Sequence, residues 1–511
     1  MNNNDCLKPI NLFCLSCLLL IFIFLLSGCV IKKNGVSNNE KKNENHVQEE
    51  SIESNEQLNI STFLDITQEA EKQVDTQQTN IQSINYSFIQ DNTLCAVSNQ
   101  GVFFIIDLSS GDRKVYAYPE WAGFMQGSPQ SAALYEQKRL LLDFHVERFS
   151  TETNSIDLIN KTKQSVTEGY FYFQHLSRQR AYYMLTGPQL FPYNRTISYD
   201  LNLKHDWLFP SSSKEKLDSR LIWEYKEVCH VVCKKDDTKK ALLHICLDPN
   251  SGKELFREVL QDSTKNGIEV IQNNDQVWIQ GSDEKGLYIA SYRINTDHML
   301  YQQWKRYYTD KPLTNENFLK DDDKDGLQYI DNRGKPYLIM PISYNKQESD
   351  QYKYESELIC INTEDGSVYW TSEKILCSSL HLYPTNQNII VDLGINAQMI
   401  GMEPKHDFLC LHWETGKLIW KKTITDEYLE EMHRRKLQIS SDQDSLLVWN
   451  HKENTLTKIL AKNGRTISYQ FDKQATYFIE FLQADQHTYF QLDTWNKENS
   501  ELLKSVVYKV E

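Results

Sequence analysis

The stretch "CINTEDGSVYW", Cys360 to Trp370, reads as the end of a strand, a polar turn closed by Gly366, and a second strand that carries a tryptophan. "CLHWETGKLIW", Cys410 to Trp420, repeats Cys, Gly and Trp at the same offsets, and "CLDPNSGKELF", Cys246 to Phe256, precedes both. The step from Gly366 to Gly416 is 50 residues. A pattern returning at such a step is the mark of a repeat architecture, each copy being one supersecondary unit.

Anchoring on the turn glycine extends the series. Asp107 stands four before Gly111, Asp248 four before Gly252, Asn362 four before Gly366 and His412 four before Gly416. Weaker copies are read at Asp157/Lys161, Asp200/Lys204, Tyr292/Thr296 and Asp493/Lys497, with one long gap of 70 residues between Thr296 and Gly366. Each part has a physical role. Alternation in "LICIN" and "FLCLH" gives one face of a half-buried strand. The Asp or Asn binds backbone amides two residues on, and the glycine accepts the positive φ that other residues resist. The aromatic after the turn enters a packed layer. Such a hairpin cannot cover its own apolar faces, so it stacks on copies of itself.

Composition agrees. A chain of 511 residues holds one repeat domain or about three ordinary ones. With 28 Tyr and 21 Phe, few Gly and Pro and 24% charged residues, most of it is globular and strand-rich. The net charge of −15 and the lack of a Lys/Arg cluster exclude nucleic acid as partner. An acidic surface suits a solvated exported protein.

The N-terminal region sets the compartment. "LKPINLFCLSCLLLIFIFLLSGC", residues 7–29, has one early lysine, Lys8, then an apolar run from Leu12 to Leu26, and ends at Ser27-Gly28-Cys29. This reads as a secretory signal over residues 1–28. An uncleaved membrane anchor is the competing reading of the same run. Residues 29–57 are rich in Asn, Glu, Lys and Ser and read as a disordered tether. Residues 58–84 read as a helical lead-in, with Ser61 or Thr62 as N-cap and Phe63, Ile66, Ala70 and Val74 on one face. Residues 85–511 hold the repeats.

Two resemblances follow from these residues. "LSGC" resembles the bacterial lipobox, which implies that Cys29 is diacylated and anchors the mature chain to a membrane. The repeat resembles the Ala-x-Asp-x-x-Thr-Gly-x-x-x-Trp signature of pyrroloquinoline-quinone-like (PQQ-like) β-propellers. "CLHWETGKLIW" matches it at Thr415, Gly416 and Trp420, Gly366 and Trp370 keep it, and Asp248 and Gly252 keep it with Phe256 for Trp. Cys246, Cys360 and Cys410 stand where the family commonly has alanine. The implied fold is all-β, a propeller of about eight four-stranded blades, at about 48 residues per blade with one insertion.

The family's quinoprotein enzymes use an adjacent Cys-Cys pair and a Ca²⁺-bound carboxylate cluster, and this chain has no adjacent Cys-Cys pair. Function is argued from a site, and that site is missing. In "KDDDKDGLQYIDN", Asp321, Asp323, Asp325 and Gly326 match the first positions of a Ca²⁺ loop, but Asn332 stands where a bidentate Glu is needed. A solvated acidic loop is favoured there over Ca²⁺, and no other cofactor is expected. Cys95, Cys229, Cys233, Cys246, Cys360, Cys377 and Cys410 make an odd seven; "CHVVC" puts Cys229 and Cys233 on one strand face with His230 on the other, so buried apolar thiols fit better than zinc. No hydrolase spacing rises above chance among 13 His and 70 acidic residues.

The expectation is a membrane-anchored, non-enzymatic propeller lipoprotein that binds an envelope protein. It resembles the propeller lipoproteins of the outer-membrane β-barrel assembly machinery in signal, linker and repeat. A surface lipoprotein binding glycans or small ligands is the alternative, to be favoured by aromatics clustered on one face.

Overall fold

In the computed structural model, strand Tyr354–Asn362 pairs antiparallel with Val368–Thr371, and Cys360 lies opposite Trp370. The turn between them is built as its residues demand. Asn362 Oδ1 accepts from the Glu364 amide at 2.8 Å, the Gly366 amide donates to the Asn362 carbonyl at 3.0 Å, and Gly366 takes a φ of +72°. Asp107 and Asp248 each accept from two amides of their turns in the same way. His412 does it with Nδ1, which accepts from the Glu414 amide at 3.2 Å.

The structure describes residues 57–510 apart from 75–84, 123–128, 130, 148–149, 169, 177–179, 187–194, 201–202, 211–215, 236–240, 262–265, 310–325, 346–353, 378–379, 396–404, 426–436, 452, 473–475, 483, 485–486 and 496–501. Cys29, the signal, almost all of the tether, and Asp321, Asp323 and Asp325 lie outside the described residues.

The hairpin belongs to a four-stranded antiparallel meander, and the described residues form nine such sheets. In chain order, blades 1 to 8 span residues 86–117, 131–168, 170–209, 217–261, 266–307, 328–371, 381–425 and 437–470. Blade 6 gains a fifth strand, Ile375–Cys377, paired with Tyr354–Asn362. Blade 9 is completed from both ends of the chain: Thr476–Leu482, Thr488–Trp495 and Leu502–Val510 are followed by Ile60–Asp65, which pairs with Leu502–Val510. Strands are named A to D in sheet order, so Ile60–Asp65 is strand D of blade 9.

Nine apolar clusters join consecutive sheets. They pair blades 1 and 2, 2 and 3, 3 and 4, 4 and 5, 5 and 6, 6 and 7, 7 and 8, and 8 and 9. The ninth joins blade 9 to blade 1 through Leu64, Tyr489 and Val507 on one side and Leu94, Val102 and Phe104 on the other. The ring is therefore closed, and the core is a set of interblade layers in place of one central mass. Buried hydrogen bonds reinforce the closure: Ser87 Oγ donates to Gln491 Oε1 at 2.6 Å, and Gln491 Nε2 donates to the Asn85 carbonyl at 3.1 Å.

The blade number corrects the expectation of about eight. The turn pattern lies between strands C and D, and blade 9 has no such turn because its strand D comes from the other end of the chain. Asp493 and Lys497 are not a copy of it: Asp493 is buried inside Thr488–Trp495, ahead of the B-to-C connection. The eighth C-to-D turn is instead at Gly464, 48 residues after Gly416, with φ +70°. The long gap before Gly366 is an insertion between Leu300–Tyr307 and Gln328–Asn332.

The lead-in is also corrected. Ile60–Asp65 is a strand, not the first turns of a helix, because the free edge of Leu502–Val510 offers it a partner that outweighs local propensity. Helix α1, Ile66–Glu71, is six residues long and is capped by Asp65, whose Oδ1 accepts from the Gln68 amide at 3.0 Å, in place of Ser61 or Thr62. Ile66 and Ala70 are buried on its inner face, and Phe63 and Val74 pack partly against the same cluster.

Candidate functional site

The turn glycines and the tryptophans form a relay between blades. The Trp370 indole, from strand D of blade 6, covers Gly416 in blade 7, and its Nε1 donates to the Trp413 carbonyl at 2.6 Å. Trp420 covers Gly464 of blade 8 and donates to the Ala461 carbonyl at 2.9 Å. Trp304 does the same at Gly366, through the Thr363 carbonyl, and Trp207 at Gly252, through the Pro249 carbonyl. In each case the acceptor lies three residues before the glycine. Tyr118 takes the tryptophan's place between blades 1 and 2, its hydroxyl donating to the Leu158 carbonyl, three before Lys161. Gly111 has the positive φ but nothing above it. Trp370 and Trp420 thus lie in interblade layers, both buried.

The perimeter has a different character. Strands D of blades 4 to 7 each expose apolar side chains: Leu255 and Val259, Tyr301 and Tyr307, Val368 and Tyr369, and Leu418. These strands are the outer members of their sheets. At the joint of blades 6 and 7 a groove of about 460 Å³ is lined by Lys335, Tyr337, Glu364, Tyr369, Trp413 and Glu414. Tyr337 stacks on Trp413 with ring centroids 5.6 Å apart and meets Tyr369 edge-on at 5.3 Å.

A third constellation is buried between blades 4 and 5. All seven cysteines from Cys95 to Cys410 are buried. Cys229 and Cys233 face blade 3, in the layer with Tyr182 and Trp207. His230 points the other way and meets two groups of strand C, His244 and Cys246. His230 Nδ1 is 2.9 Å from His244 Nε2, and Cys246 Sγ is 3.7 Å from each of these nitrogens. His244 Nδ1 is 2.8 Å from Glu258 Oε1 of strand D, and that oxygen also accepts from the Leu300 amide of blade 5 at 2.7 Å. Trp223 stacks on His230 at 5.0 Å.

The electrostatics of this cluster follow from burial. Desolvation, then the neighbouring His244 and His298, push His230 down to about 3, so its ring is neutral at any ordinary pH. Burial, then the Glu258 carboxylate, pushes the Cys246 thiol up to about 12. Cys246, His244 and Glu258 stand in the order of a nucleophile, base and orienter, but a protonated, fully buried thiol donating to the His298 carbonyl at 3.4 Å is no nucleophile.

His230 lies on the strand face expected from "CHVVC", and its partners come from a neighbouring strand. His230 lies opposite Cys246 in the sheet register, and His244 reaches the same face from two residues before Cys246. A signal was present in the repeat: His244 is eight before Gly252, where Leu358 and Phe408 stand before Gly366 and Gly416.

No protein-family model matches the chain, and no curated protein matches it. Solved structures resemble it. BamB from Moraxella catarrhalis aligns at 12% identity over 84% of this chain and 99% of its own, with a TM-score of 0.36. A quinohemoprotein alcohol dehydrogenase from Comamonas testosteroni aligns at 9% identity over 83% and 73%, with a TM-score of 0.37. The Dos1 propeller aligns at 10% identity over 76% and 92%, with a TM-score of 0.44. The likeness is confined to the fold. Among the described residues no helix is long and apolar enough to cross a membrane.

Proposed function

We propose that this chain is a non-enzymatic propeller lipoprotein, tethered through Cys29, that binds an envelope protein along strands D of blades 4 to 7. The observation that carries the reading is the run of exposed apolar side chains, Leu255 to Leu418, on the outer strands of four consecutive blades. An outer strand has unpaired backbone donors and acceptors on one side, and apolar side chains beside them suit the addition of a partner's extended segment. The tether follows from Leu-Ser-Gly-Cys at the end of the apolar run.

The test is site-specific photo-crosslinking in membranes, followed by mass spectrometry. A crosslinker at Leu255 or Leu418 is expected to capture the same envelope protein, and one at Val115, on strand D of blade 1, is not. Equal capture from all three positions overturns the reading. Cys29→Ser is expected to abolish acyl labelling and processing at that site; unchanged labelling rejects the anchor.

One observation favours the second reading, a binder of glycans or small ligands: the groove that pairs Tyr337 and Tyr369 with Glu364 and Glu414. Glycan-array binding lost in Tyr369→Ala would select it. Against a quinoprotein dehydrogenase stands the lack of an adjacent Cys-Cys pair. Retention of the quinone through gel filtration in the presence of Ca²⁺ would reverse that judgement.

A further inference from the structure

We infer that His230, His244 and Cys246 form a binding site for one Zn²⁺ between blades 4 and 5. The three donor atoms lie within 4.8 Å of one another in a buried layer. Tetrahedral zinc, at Zn–N of about 2.0 Å and Zn–S of about 2.3 Å, sets its donors roughly 3.3–3.6 Å apart. The observed separations are 2.9 Å between the nitrogens and 3.7 Å from sulfur to each. Opening the nitrogen pair by about 0.4 Å admits the ion.

The surroundings match the chemistry. The Glu258 carboxylate against His244 Nδ1 leaves the lone pair of that ring on Nε2, facing His230 and Cys246, the arrangement that orients and strengthens a metal-binding imidazole. Glu258 is itself fixed by the Leu300 amide from blade 5. When zinc enters, the Cys246 thiol gives its proton to solvent and binds as thiolate, and His230, whose Nδ1–H faces the His244 Nε2 lone pair in the empty site, exchanges to the tautomer with its proton on Nε2 and binds through Nδ1. The ion's two positive charges then face one thiolate and one carboxylate, so the buried group is neutral overall. Two imidazoles and a thiolate select zinc over calcium or magnesium.

The chain supplies its own comparison. Cys246, Cys360 and Cys410 occupy one position of the repeat, each six residues before its turn glycine. Opposite them stand His230, Ile339 and Ile390, and two residues before them stand His244, Leu358 and Phe408. Blades 6 and 7 therefore fill these places with apolar side chains, while blade 4 places two imidazoles there. Burying polar rings in such a layer is unfavourable unless they gain partners. The two rings partner each other at 2.9 Å while Cys246 Sγ stays 3.7 Å from both, and a bound ion replaces these contacts with one partner common to all three donors.

The test uses the full chain, purified in detergent from zinc-supplemented cells. Elemental analysis is expected to find about one zinc per chain. After unfolding with chelator and refolding with Co²⁺, a thiolate-to-cobalt charge-transfer band is expected, a readout that needs no variant. Cys246→Ala introduces the residue that PQQ-like repeats commonly carry at this position, and it is expected to lower zinc affinity by at least about tenfold. Cys410→Ala, the matched change in blade 7, is expected to leave zinc content unchanged. Less than about a tenth of a zinc per chain in the parent by both routes, or equal metal in the parent and Cys246→Ala, overturns the site.

Discussion

Trp370 and Gly416 belong to different blades and occupy one space: a Cβ added to Gly416 would fall 2.4 Å from the Trp370 ring. The fold uses the missing side chain of one blade to seat the largest side chain of its neighbour. Gly416 also has a φ of +64°, so two separate requirements act on the same residue. Gly111 separates them, because its φ of +77° comes with nothing within 4 Å. Gly111→Ala is expected to cost about 1 kcal/mol, the conformational term alone. Gly416→Ala is expected to cost about 2–4 kcal/mol, since the indole must also move. Urea unfolding of the two variants checks this, and equal losses would show that the contact is slack.

The partner residues are tested directly. Trp370→Ala and Trp420→Ala each empty an interblade layer and are expected to lose about 3–5 kcal/mol, with greater protease sensitivity. Trp370→Phe keeps most of the ring and loses the bond to the Trp413 carbonyl, a loss of about 1 kcal/mol. Alanine variants that melt like the parent would mean that these aromatics do not hold the blades together.

Asp493 gives the molecule a measurable pH dependence. Burial pushes its carboxyl up to about 6, against the stabilising hydrogen bond that Gln491 Nε2 donates to it at 2.8 Å. Because that value lies above the ordinary one, the folded chain holds this proton more tightly than the unfolded chain does. The group's contribution is greatest below about pH 4 and falls as pH rises through about 6, by on the order of 3 kcal/mol. Asp493→Asn, which keeps the shape without the charge, is expected to remove this part of the decline. Thermal midpoints between pH 4 and pH 7 measure it, and parallel curves for parent and variant would refute it.

What the sequence made legible was whatever one strand and its turn determine by themselves. Gly366, Gly416 and Gly252 stand out because positive φ leaves few other choices, and Asp107 and Asp248 because their amide bonds are local. Gly464 was overlooked because neither a Cys nor an Asp precedes it in "ILAKNGRTISY" and Tyr469 stands in the strand that follows. The pairing of His230 with Cys246 is set by sheet register between two strands, and no spacing within a single strand encodes it. Ile60–Asp65 misled for the same reason. Its apolar residues fit a helical face when taken alone, and only the distant edge of Leu502–Val510 makes them a strand.

Ile60–Asp65 is the outer strand of blade 9, and Leu64 and Ile66 behind it are fully buried against blades 9 and 1. Lys504 Nζ meets the Asp65 carboxylate at 2.8 Å, but an exposed lysine adds little. The apolar contacts and the ladder carry the closure. Leu64→Ala is expected to cost about 2–5 kcal/mol. Removing residues 1–71 goes further, because it bares the edge of Leu502–Val510 and opens the joint whose sheet is made from both ends of the chain. The truncated protein is expected to melt lower and to self-associate, whereas one beginning at Gln57 keeps the strand and stays monomeric. Light scattering with thermal unfolding distinguishes the two. If the shorter protein is as stable and monomeric as the longer, Ile60–Asp65 is an addition to a ring that closes without it.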